Sequence, residues 1–209
     1  MADPSAAATA SAPQISPLQA EAAALAAASA PGIAALREVP FLAQIGLRGD
    51  PAAPAFAGAI RDALGLALPT TPNRIAERDG VAALWLGPDE WLVVGAPGSA
   101  AVLSAALDRH LAGQHASAVD LGASRACLEV TGMRAAEVLA KGCALDLHPR
   151  AFGPADCAQT LLARIPVILH RTHTEPGWRL FVRRSFAPYI AAWLIDAVAE
   201  YRGKPNTRA

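Results

Sequence analysis

The chain has 209 residues, enough for one large domain or two small ones, and its 53% hydrophobic content is inflated by alanine in the first 36 residues. No apolar run approaches the roughly 20 residues a membrane-spanning helix needs. Eighteen basic residues balance eighteen acidic ones, which removes any whole-chain pull toward nucleic acid.

The start, Met1-Ala2-Asp3-Pro4, carries an acid, and the first base is Arg37. This fits neither a secretory signal nor an arginine-rich transit peptide, so the cytoplasm is the expected location. Three cysteines without a CxxC pair argue for reduced thiols rather than a disulfide framework. The charge is uneven along the chain. Residues 1–115 hold 6 basic and 10 acidic residues, residues 116–209 hold 12 and 8, and such a dipole can orient docking onto a partner.

Residues 1–36 are dominated by Ala, Ser and Pro and lack large apolar residues at helical spacing, which predicts a mobile tail. Globular patterning begins at Phe41, with a strand to Leu47 and a turn at Arg48-Gly49-Asp50-Pro51. Phe56, Ile60 and Leu64 share one face of a predicted helix over 55–64. After Pro69 and Pro72, strands over 74–78 and 81–86 meet at Asp79-Gly80, a hairpin dipeptide. A strand over 91–95 and a helix over 99–111 close the first unit. The second begins with strands over 118–121 and 125–130. Thr131 is the expected N-cap of a helix over 133–141, which Gly142 ends in left-handed geometry. An irregular stretch over 145–152 leads to strands over 157–163, 167–171 and 178–183. Ser185 is the expected cap of a last helix whose stripe is Phe186, Tyr189, Ile190, Trp193, Ala197 and Tyr201.

Both halves therefore read strand, helix, three strands, helix. This predicts an α+β fold of two small ferredoxin-like subdomains, 37–115 and 116–203, each an antiparallel sheet with helices on one face, followed by a short tail over 204–209.

Few residues point to chemistry. No phosphate-binding loop is present, and the glycines around 46–49 and 95–98 read as turns. Cys143, His148 and Cys157 flank one loop, and His170 and His173 lie near a strand end, spacings that make a poor metal site. Cys143 follows a helix C-terminus, where the partial negative charge raises a thiol pKa, and it is expected to pack back on Val138. Cys127 and Cys157 fall in strands as small buried hydrophobes. Asp89-Glu90 reads as a solvated turn, and spacing alone leaves open whether Asp146 and Asp156 converge. Alternation over 178–183 puts Arg179, Phe181 and Arg183 on one face, the Arg-plus-aromatic composition enriched at protein interfaces.

One series of segments is specific as a set: Val119-Asp120-Leu121, Arg125-Ala126, Val138-Leu139-Ala140-Lys141-Gly142-Cys143, Leu145-Asp146-Leu147-His148-Pro149-Arg150 with Phe152, Cys157-Ala158-Gln159-Thr160-Leu161, and Val182-Arg183-Arg184-Ser185-Phe186. In this order it resembles the gamma subunit of heterotetrameric sarcosine oxidase, closely over about 116–201 and more loosely back to Phe41 through Gly87-Pro88-Asp89-Glu90-Trp91-Leu92. The resemblance implies a complex that oxidatively demethylates sarcosine to glycine, forms hydrogen peroxide and passes the one-carbon unit to tetrahydrofolate as methylenetetrahydrofolate. It implies alpha, beta and delta subunits as partners, with FAD, FMN, NAD, zinc and tetrahydrofolate held on those subunits. It also implies a fold similar to the folate-binding part of aminomethyltransferases.

In those aminomethyltransferases a folate-site carboxylate lies on the strand that matches Val81-Ala82-Ala83-Leu84-Trp85-Leu86, and this strand has no acid. The expectation is a non-catalytic assembly subunit, with no catalytic, cofactor or metal residues of its own and a candidate interface at His148, Arg150, Phe181, Arg183 and Arg184. Two other readings are weighed: a free-standing folate-binding or aminomethyltransferase-like protein, which the missing acid disfavours, and an RNA-associated module, which neutral charge disfavours.

Overall fold

The structure, a computed structural model, describes residues 14–173 and 177–202. A short helix α1 (Ala22–Ala28) and strand β1 (Ala35–Glu38) come first. There follow β2 (Leu42–Arg48), α2 (Pro54–Leu64), β3 (Ile75–Arg78), β4 (Val81–Gly87), β5 (Glu90–Pro97) and α3 (Ala100–Leu111). The second series is β6 (Ser117–Asp120), β7 (Arg125–Thr131), α4 (Ala135–Ala140), β8 (Cys157–Leu162), β9 (Ile165–Arg171), β10 (Gly177–Arg183) and α5 (Ala187–Ala197).

These strands form two antiparallel five-stranded sheets, ordered β3-β4-β5-β2-β6 and β8-β9-β10-β7-β1. Within each unit the order is the same, as the repeated sequence pattern predicts. The edge strands break the predicted division: β1 precedes the first unit yet pairs with β7, and β6 precedes the second yet pairs with β2. Each unit's first strand thus receives a partner from the segment leading into the other, so the boundary at 115/116 does not separate two independent sheets.

Period-two alternation gives each sheet two buried faces. Ala43, Ile45, Leu47, Trp91 and Val93 face α2 and α3 through Phe56, Ile60, Leu103 and Leu107. Leu128, Trp178, Leu180 and Val182 face the other helices through Leu25, Val138, Ile190 and Leu194. The opposite faces meet in a central seam in which Leu42, Leu84, Leu92 and Val94 of one sheet pack with Cys127, Cys157, Ile168 and Phe181 of the other. Helices, sheet, sheet and helices therefore form four layers.

The hairpin at Asp79-Gly80 has φ of 50° and 79° at its two central residues and closes the register Arg78↔Val81, as predicted. Several other expectations are corrected. The mobile tail does not extend to residue 36: Leu18, Leu25 and Leu36 are buried in the second core, because β7 offers an open edge that β1 fills. Residues 1–13 of that tail and the tail 204–209 lie outside the described residues. Thr131 ends β7 rather than capping α4, which starts at Ala135 with no side-chain cap. Gly142 is not left-handed. It is small because Trp193 and Ala163 crowd it: a Cβ there would lie 2.6 Å from Trp193 Cζ2 and 3.0 Å from Ala163 N. Ser185 sits within a 3₁₀ turn, Arg184–Phe186, and α5 begins at Ala187 with Pro188 in its first turn. The buried face of α5 is Ala187, Ile190, Ala191, Leu194 and Ala197, rotated from the predicted stripe. Tyr189 is exposed and donates its hydroxyl to Ala163 O at 2.8 Å.

Candidate functional site

The cysteines behave as core residues. All three are free and buried. Burial, above all, pushes the Cys127 thiol up to about 12 and the Cys157 thiol likewise, so neither is a nucleophile at neutral pH. Cys143 packs in the same core cluster as Val138. Asp146 and Asp156 do not act together. Asp146 Oδ1 accepts the His148 amide at 2.9 Å, while Asp156 takes the Gly153 amide at 2.8 Å and pairs with Arg74. Asp89 and Glu90 both serve Arg48.

The segment 145–152 is a self-braced loop. The Ala151 and Phe152 amides donate to His148 O, and the Arg150 amide donates to His148 Nδ1 at 3.3 Å. Leu147 and Phe152 anchor it to the core, with Phe152 5.1 Å from the Trp178 ring. His148 and Arg150 stay exposed at its tip.

His170 lies near the end of β9 and is buried. It is 2% exposed, with neither ring nitrogen hydrogen-bonded, whereas His173 is exposed. Burial, with help from the charges of Arg179 and His173, drives its pKa down to about 3 and keeps the imidazole neutral. His170 belongs to a row across the second sheet set by strand register: Arg37, Glu129, Arg179, His170, Cys157. Glu129, 7% exposed, joins β1 to β10 by accepting Arg37 Nε at 2.6 Å and Arg179 Nε at 3.3 Å. Among the described residues no group of three or more His, Cys, Asp or Glu could hold a metal ion, and no helix is long and apolar enough to cross a membrane.

Phe181 is also corrected. It shares a face with Arg179 and Arg183 as predicted, but the first sheet covers that face and leaves Phe181 1% exposed, so it is not available to a partner. Arg183 and Arg184, at the end of β10, remain exposed. They share a cleft of about 320 Å³ with Ser124, Arg125 and Ser185, which His148 and Arg150 do not reach. Arg125 was missed as a site residue because only strand register sets it opposite Arg183.

Strand β4 carries no acid, and Leu84 at its centre is fully buried in the seam. Fold and side chains together define a double-sheet α+β protein whose central seam is packed chiefly by apolar side chains. The glycine cleavage system aminomethyltransferase T from Bartonella henselae shares this fold, with a TM-score of 0.61 and 20% identity over 78% of this chain and 46% of that one. A model of the sarcosine oxidase, gamma subunit family matches residues 48–200. Sarcosine oxidase subunit gamma of Corynebacterium sp. (strain P-1) is 42% identical over 191 residues, covering 91% of this chain and 92% of that protein. A chain of the heterotetrameric sarcosine oxidase from Corynebacterium sp. U-96, solved in complex with pyrrole 2-carboxylate, superposes with a TM-score of 0.84 at 38% identity, covering 93% of this chain and 99% of that one. The chain belongs to the sarcosine oxidase gamma subunit family.

Proposed function

We propose that this chain is the non-catalytic gamma subunit of a heterotetrameric sarcosine oxidase, and that it serves assembly. The observation that carries the reading is the end-to-end relationship to a gamma subunit, 91% of one chain against 92% of the other. A free-standing aminomethyltransferase is not favoured: the likeness to the Bartonella protein spans less than half of that chain, and Val81–Gly87 lacks the acid. The complex demethylates sarcosine to glycine with hydrogen peroxide and methylenetetrahydrofolate as products. FAD, FMN, NAD, zinc and tetrahydrofolate sit on its alpha, beta and delta subunits, in the cytoplasm. The buried, protonated thiols of Cys127 and Cys157 support a chain without a thiol nucleophile at these positions. His148, Arg150, Arg183 and Arg184, all exposed, are the interface residues of this reading.

The test is to express the chain alone and with its partner subunits. Alone it is expected to be colourless and inactive, and with them it co-purifies in stoichiometric amount with flavin. A chain that stays apart in that mixture, or turns over a folate substrate by itself, refutes the proposal.

A further inference from the structure

Three arginines, Arg125, Arg183 and Arg184, line one cleft. Arg125 and Arg183 are directly opposed across β7 and β10, and the Arg184 amide donates to Ser124 O at 2.9 Å. Among the described residues none of the three makes an ion pair. Like charges directly opposite in a sheet are destabilising, and an incoming anion relieves that repulsion. Burial lowers the Arg125 pKa; the attraction of Glu90 opposes that, and the charge of Arg183 adds a smaller push downward.

Arg125 and Arg184 also line an adjoining cavity of about 700 Å³, with Gln44, Glu38, Phe41 and Leu42 among its walls. Gln44 is 2% exposed, and its Oε1 has no hydrogen-bond partner, nor do Glu38 Oε1 and Arg125 Nη1. The two acids of the cavity already hold donors: Glu38 takes the Ser16 hydroxyl and Asp120 the Gly122 amide. At the mouth Phe41 and Ile15 are 44% and 63% exposed, and Phe41 has φ of 59°, uncommon for an aromatic residue. The site offers cations without an ion pair beside exposed apolar surface. An acidic polypeptide meets both needs, with carboxylates for the arginines and an apolar side chain for Phe41. A bare anion meets only the first.

We infer that this cleft is the socket for an acidic segment of a partner subunit. Carboxylates of that segment pair with Arg125, Arg183 and Arg184, and an apolar side chain enters the cavity beside Phe41. The inference rests on the subunit reading above and adds to it Arg125, Gln44, Phe41 and the chemistry of the occupant.

The experiment uses the co-expressed complex. One arm compares wild type with Arg183→Glu/Arg184→Glu, two exposed positions that tolerate charge, and reads retention of the chain on gel filtration at rising salt. The other places a photo-crosslinking phenylalanine analogue at Phe41, with Leu161 on β8 as the control position, and sequences the captured peptide. A loss of apparent affinity of tenfold or more is expected in the first arm. In the second, Phe41 is expected to capture a partner peptide with Asp or Glu within a few residues, and Leu161 is expected not to capture it. Undiminished retention, or capture of a peptide without acids or of this chain alone, overturns the socket while leaving the subunit reading intact. If wild type itself fails to join the complex, the subunit reading falls and takes the socket with it.

Discussion

Replacing His170 with leucine should remove an acid sensitivity built into the second sheet. The imidazole is buried between Arg179 on β10 and Cys157 on β8, with Glu129 beyond Arg179 and His173 further along the chain. Its folded pKa of about 3 lies below the ordinary value of 6.5. Between those values the unfolded chain binds the proton and the folded chain does not, so stability rises with pH across this window. The contribution is complete above 6.5 and is lost as pH falls toward 3. Each pH unit below 6.5 costs about 1.4 kcal/mol, so from pH 7 to pH 5 the loss is about 2 kcal/mol. For a chain of this size that is roughly 4–8 °C in Tm. Calorimetry of wild type and His170→Leu at pH 7 and pH 5 isolates this contribution, since all other carboxylates and histidines are common to both. At pH 7 the variant should be no less stable than wild type, because it loses a buried polar group that had no partner. Parallel loss of stability in the two proteins on going to pH 5 would refute the argument, as would a variant destabilised at pH 7.

Further outcomes follow from other contacts. Glu129→Gln leaves Arg37 and Arg179 without their shared carboxylate and should lower the urea unfolding free energy by about 1–3 kcal/mol, less than for a fully buried pair because Arg37 is exposed. Gly142→Ala forces a methyl against Trp193 Cζ2 at 2.6 Å and should cost about 1–3 kcal/mol by overpacking, largely recovered by Trp193→Leu in the same chain. Phe181→Ala should cost about 3–5 kcal/mol in the isolated chain, the signature of a core residue; an unchanged midpoint with weakened assembly would restore it to the interface. Deleting residues 1–38 strips β1 from β7 and removes Leu18, Leu25 and Leu36, each worth about 1.5–3 kcal/mol of burial, so the remainder should fail to fold cooperatively by circular dichroism.

The repeated order of elements was legible in the sequence because each unit's apolar spacing is local: Phe56, Ile60 and Leu64 on a helix, Trp91 and Val93 on a strand, Asp79-Gly80 at a turn. Partner choice between strands was not legible. Ala35–Glu38 has only four residues and one deeply buried side chain, Leu36, so nothing in its pattern announces a strand until β7 supplies the pairing. The same ignorance of register hid Arg125 opposite Arg183 and the row from Arg37 to Cys157. Phe181 was misjudged for a related reason. Alternation gives which residues share a face, and a second sheet covering that face reverses its meaning from exposed to buried. At Gly142 the composition was right and the cause was wrong, since a close approach by Trp193 from 51 residues away is invisible to a local rule about helix ends.

The central seam is packed chiefly by apolar side chains. In a two-sheet protein the inner faces either converge polar groups on a ligand or pack on one another. Here Leu84, Leu92 and Val94 meet Ile168 and Phe181, and the buried thiols of Cys127 and Cys157 are held protonated. Burial of these apolar side chains stabilises the pair of sheets. The exchange of β1 and β6 ties the sheets further, because neither can leave without stripping an edge from the other. Buried side-chain polar atoms without a hydrogen-bond partner among the described residues include those of Gln44, Glu38, Arg125, His170 and Trp178. The sign of one substitution decides between the two uses of such a seam. Leu84→Asp should destabilise the chain by several kcal/mol, as an unpaired buried carboxylate does, without creating folate binding measurable by calorimetric titration. A stable Leu84→Asp protein that bound tetrahydrofolate would show the seam to be a dormant site rather than a closed one.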